Sequence, residues 1–127
     1  MSKYGDAAIR AVEICQASQN LDPVTAWKTA VGDCDLTFEG QKKGCPKSTF
    51  LGLCQEGLVK GIPVGCYTRG RLNKEYAVQA VRLLQSDSSL ADDRSGLWHR
   101  IMAGTDKKPN GQMDVVTALF GAGLLEL

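Results

Sequence analysis

A proline and a glycine placed eleven residues apart, Pro46 and Gly57, constrain this chain more than any other feature. Between them Phe50, Leu51, Leu53 and Cys54 make a short apolar face. Proline suits the first turn of a helix, where its missing N–H would have had no partner. Glycine suits the residue past the helix end, where the backbone turns left-handed. The apolar pair Leu58-Val59 that follows supplies the contact that closes such a turn. The spacing predicts a helix over about 46–56.

The same punctuation recurs along the chain. Tyr4, Ala8, Ala11, Val12 and Cys15 recur at helical spacing and predict a first helix over 3–19, with Asn20 as its stop. Asp22-Pro23 is a cap followed by proline, starting a second helix that runs to about Val31 with Trp27 facing inward. Residues 35–44 lack periodicity and read as a loop pinned by Leu36 and Phe38. Ile62-Pro63-Val64-Gly65 is a turn, and its flanks either pair as a very short β-hairpin over 58–69 or pack as a loop. Asn73 caps a helix over about 74–85. Ser86-Asp87-Ser88-Ser89 interrupts the pattern, and Asp92-Asp93 opens a shorter helix that Gly104 breaks. A last helix covers about 111–121. The 127 residues suit one domain, 1–127, without repeat or linker. The expected fold is all-α, about six helices around Trp27, Phe50, Leu53, Val81, Trp98 and Phe120.

Charge is unevenly spread. Residues 1–40 hold three basic and six acidic side chains, and 75–127 hold five and seven. The middle block holds Lys42, Lys43, Lys47, Lys60, Arg69, Arg71 and Lys74 against Glu56 alone. A net charge of +1 hides this contrast. Cations on one face attract phosphate or carboxylate, so Lys43, Lys47, Lys60, Arg69 and Arg71 are the candidate binding residues. No run approaches the roughly 18 apolar residues of a membrane span, and the opening lacks the apolar segment of a signal peptide. Cytoplasmic is the default, with no membrane partner, and the five cysteines read as reduced and mostly buried.

Chemistry-bearing candidates are few. Cys45, before Pro46, stands at the expected helix start, where the positive end of the dipole favours a thiolate. His99, the single histidine, is the available base for it. Cys45, Cys54 and Cys66 with His99 lack zinc-ligand spacing, so no metal is assigned, and no cofactor fingerprint is present. Asp33 and Asp35 flank Cys34, and Asp92 and Asp93 are ordinary helix-start carboxylates.

The segment from Phe50 through Gly57-Leu58-Val59-Lys60-Gly61 to Tyr67-Thr68-Arg69-Gly70-Arg71 resembles the recognition helix, turn and basic wing of winged-helix DNA-binding domains. Over most of its length the chain also resembles a small family of uncharacterised bacterial proteins. That likeness is carried by Lys3-Tyr4-Gly5-Asp6, Lys43 through Cys54, Gly57 through Gly61, Tyr67-Thr68-Arg69, Asn73 through Ala77 and Gln112 through Val116. It implies a bacterial, cytosolic, compact domain and no catalytic residues. The first expectation for function is therefore a non-enzymatic binding module whose basic face meets nucleic acid or an acidic protein surface. The alternatives are a small enzyme with Cys45 as thiolate, and a structural or oligomeric role.

Overall fold

The computed structural model describes residues 2–18 and 22–127. Its elements are α1 (Lys3–Ala17), α2 (Pro23–Asp33), the single turn α3 (Phe38–Gln41), α4 (Gly44–Gln55), α5 (Arg71–Ser86), a 3-10 helix (Ser88–Asp92), α6 (Arg94–Met102) and α7 (Gln112–Gly121). The fold is all-α, and none of the helices is long and apolar enough to cross a membrane among the described residues. Six longer helices match those expected from the periodicity. The stop assigned to Asn20 lies outside the described residues.

The punctuation acts largely as read. Ser2, Asp22 and Asp93 accept from first-turn amides of α1, α2 and α6. Gly57 adopts φ +74°, and Leu58 N donates to Leu53 O at 3.0 Å, the closing bond of a left-handed helix end. Pro46, however, is the third residue of α4 and not its first. It still removes no intrahelical bond, because first-turn amides have no partner within the helix.

Several expectations are overturned. α5 starts at Arg71 with Gly70 at the cap position, so Asn73 is not the cap. Its side chain accepts from Gln112 instead. The 58–69 hairpin does not form. Val59 makes an isolated antiparallel bridge with Leu125, reinforced by Lys60 N to Leu124 O at 2.9 Å and Glu126 N to Leu58 O at 2.8 Å. The C-terminal residues thus occupy the edge that Cys66-Tyr67-Thr68 would fill in a hairpin, and of the two readings of this segment the loop is the one that holds. No named strand occurs among the described residues, so the wing implied by the winged-helix likeness is absent.

Phe38 does not pin its segment but stands 69% exposed, and the segment itself coils into α3. Thr37 caps that turn, and Gln41 Nε2 donates back to Leu36 O. The core holds Trp27, Phe50, Leu53, Val81 and Trp98, while Phe120 is only partly buried beside it. Trp27 stacks on Phe50 with ring centroids 5.3 Å apart. Tyr76 meets Trp98 edge-on at the same separation.

One arrangement matters for function. Ser48 lies against Gly70 and Gly52 against Lys74, so α4 and α5 run parallel in register. Pro46 and Tyr4 pack against Gly111, and Gly5 packs against Asp114 and Ala118. The starts of α1, α4, α5 and α7 therefore converge at one end of the bundle. A helix start carries partial positive charge, which Asp6 and Asp114 answer in the first turns of α1 and α7 and no acidic residue answers in those of α4 and α5.

Candidate functional site

Charge capping is uneven at that end. No side chain caps α4, α5 or α7, whereas Ser2 caps α1. The first turns of α4 and α5 also contain no acidic residue. Their amides at these starts have no intrahelical partner and accept an anion readily. Arg69, Arg71, Lys74, Thr68, Gly70 and Gln55 line a cavity of about 180 Å³ at the start of α5. Gln55 shapes its wall, because Oε1 accepts from both Tyr67 N at 2.9 Å and Thr68 N at 3.2 Å. Thr68 Oγ1 in turn accepts from Gly70 N at 3.0 Å. The chain between Tyr67 and Gly70 is thus held by side chains, without a β-ladder.

The expected binding residues divide into groups. Arg69 and Arg71 flank Gly70 and share the small cavity. Lys47 precedes Ser48, which touches Gly70, and it lines a second cleft on the α2 side. Lys43 Nζ reaches Asn110 Oδ1 at 3.4 Å, on the loop before α7. These four surround the converging helix starts. Lys60 does not join them; it lies past the far end of α4, at the bridge to the C-terminal residues. Of the other two cations in the block, Lys74 is bridged to Glu56 at 3.7 Å, and Lys42 stands over the Phe38 ring at 3.9 Å. Among the described residues, Lys74 is the one member of the basic block with a carboxylate partner.

Cys45 is the second residue of α4 and is half-buried. His99 is exposed in the last turn of α6, and no hydrogen bond links the two. Among the described residues no group of three His, Cys, Asp or Glu side chains is placed to hold a metal. The cysteines are all free, but only Cys15 and Cys54 are buried; Cys34 and Cys45 are half-buried and Cys66 is exposed. The expectation that most would be buried fails because Cys45 and Cys66 fall at a helix start and in a surface loop. Burial pushes the Cys54 thiol far above its ordinary value, with nearby Cys15 adding to the shift. Burial, and then the Asp22 charge, raises Cys15 as well. Neither thiol is a nucleophile in the folded protein.

Sequence reasoning missed the cleft between α2 and α3. Val24, Trp27, Lys28 and Val31 of α2, Phe38, Gln41 and Lys42 at α3, and Lys47 of α4 enclose about 460 Å³. Lys28 belongs to the acidic first block, so nothing in the local charge pattern drew attention to it. The helical phase of Lys28 beside Trp27 was the available signal.

The chain belongs to a family of unknown function, DUF6979, whose model matches residues 1–126. No curated protein and no solved structure matches it.

Proposed function

We propose that the protein is a non-enzymatic binding module and that its electropositive end takes the phosphate backbone of a nucleic acid. One observation carries the reading. The uncapped start of α5 lies between Arg69 and Arg71, in a cavity without a lining carboxylate. First-turn amides without intrahelical partners beside two arginines suit a tetrahedral anion with several acceptor oxygens. Lys47 and Lys43, at the start of α4, are the further phosphate contacts in this reading. A cytoplasmic setting accords with five unpaired cysteines.

The contacts are to backbone and not to bases. Ser48, Thr68 and Gln55 are occupied by short-range packing or hydrogen bonds, leaving few groups to read base edges. Binding should therefore be insensitive to sequence and strongly dependent on salt.

The test is affinity for a fluorescein-labelled single-stranded oligonucleotide across a salt series. Four cations on phosphates give a log–log slope of about −3 for single strands. The Arg69→Ala/Arg71→Ala variant should lower that slope by about 1.4, while Lys60→Ala should leave it unchanged. Absence of binding at low salt, or an unchanged slope in the double variant, rejects the reading. Binding to polyglutamate without binding to the oligonucleotide rejects it too, in favour of an acidic protein partner.

A further inference from the structure

We propose that the cleft between α2 and α3 is a separate site for a small anionic amphiphile, a planar aromatic body carrying one carboxylate. Its inner surface is apolar, formed by Val24, Trp27 and Val31. Its rim carries Lys28, Lys42 and Lys47, each from a different segment. None of these lysines has a carboxylate partner among the described residues, and no carboxylate lines the cleft. Asp33, Asp35 and Glu39 belong to the same stretch of chain yet stay outside it. Three like charges around a low-dielectric recess repel one another, and an anion seated there relieves that repulsion.

A second observation is independent of charge. Trp27 Nε1 is a buried side-chain donor with no hydrogen-bond partner. Tryptophan N–H groups buried in folded proteins normally find an acceptor. The residue that bears this unmet donor also lines the lysine-rimmed cleft. The donor atom is itself enclosed, so it is the Trp27 ring that meets an occupant and reports it, and a carboxylate is the class of group that neutralises the rim lysines.

Size and rim chemistry set the rest of the ligand. The volume lies near the lower end of the range typical of small-molecule sites, roughly 300–1,000 Å³, and suits one or two fused rings. Phe38, 69% exposed with the Lys42 ammonium over its ring, offers an aromatic surface at the mouth.

This site shares Lys47 with the proposed phosphate contacts but does not rest on that reading, since Lys28, Trp27 and Phe38 belong to α2 and α3 and none of them lines the cavity at the start of α5. The test uses 2-naphthoate, with 2-naphthamide as its neutral counterpart, and follows the two indole N–H signals in a nitrogen–proton spectrum. Trp98→Phe assigns them, or Trp27→Phe if that variant does not fold. The expected result is a saturable shift of the Trp27 signal with 2-naphthoate and little movement of Trp98. Affinity should fall at least tenfold for 2-naphthamide and about tenfold in Lys28→Gln, one charge-assisted contact being worth roughly that factor. Oligonucleotide affinity in Lys28→Gln should be unchanged. No shift of the Trp27 signal at millimolar naphthoate, equal movement of both signals, or equal affinity for the amide overturns the proposal.

Discussion

Gln112 and Asn73, 39 positions apart, join the first turns of α7 and α5 through a side-chain hydrogen bond of 3.2 Å. Gln112 is fully buried, and its Oε1 also accepts from Asn110 N. One amide thereby fixes two helix starts and the end of the loop before α7. Lys43 reaches the same Asn110 from the start of α4, so the geometry of the electropositive end depends on a single uncharged side chain.

Gln112→Ala should therefore be costly. It removes two hydrogen bonds, leaves the Asn110 amide without its partner and opens a void, for a loss of about 2–4 kcal/mol. Urea unfolding monitored by circular dichroism measures it. A loss below about 1 kcal/mol would show that water replaces the amide at little cost.

Two glycines of α4 should respond with opposite sign to the same substitution. Replacing a helical glycine by alanine ordinarily gains up to about 1 kcal/mol. At Gly52 the added Cβ would lie 2.7 Å from Lys74 Cβ and 2.9 Å from its Cα, where the backbone of α5 must give way. Overpacking of that kind costs about 1–3 kcal/mol, so Gly52→Ala is expected to destabilise. At Gly44 nothing lies within 4 Å, and Gly44→Ala should be neutral or stabilising by about 0.5 kcal/mol. Paired thermal melts decide the matter; a stabilised Gly52→Ala would mean that α4 and α5 are not packed this closely.

Acid should act on the start of α2. Hydrogen bonds from Thr25, first its backbone and then its hydroxyl, hold the Asp22 carboxyl below its ordinary value, with Val24 N contributing less. A carboxyl depressed in the folded state stabilises above its unfolded pKa, and that contribution disappears as pH falls through the folded value. Asp22→Ala should cost about 1 kcal/mol at neutral pH. The difference between variant and parent should shrink as pH falls and be lost at the acid end of the carboxylate range, measured as unfolding free energy against pH. A difference that persists there would assign the loss to packing and not to the charged cap.

The cysteines should separate by accessibility. Cys66, exposed in the 58–70 connection, should react first with iodoacetamide, and Cys54 and Cys15 only once the chain unfolds. Mass spectrometry of peptides from time-quenched samples gives the order. Labelling of Cys54 in step with Cys66 under native conditions would show that the core around α4 opens readily.

What the sequence determined by itself was local: where most helices begin and end, and which faces are apolar. Asp22-Pro23, Asp93 and Gly57 act on their own neighbours, and a cap or a left-handed turn needs no distant partner. The tertiary structure decided whatever required a second segment. Asn73 has the chemistry of a cap, yet its side chain is engaged by Gln112, a residue brought to it from 39 positions away. Val59 has the character of a strand residue, but its partner comes from the C-terminus, a pairing no local pattern encodes. The basic block was visible as composition. Its division into Lys43 and Lys47 at the start of α4, Arg69 and Arg71 at the start of α5 beside Gln55, and Lys60 beyond the end of α4 follows from the packing of α4 against α5, which only the folded chain specifies.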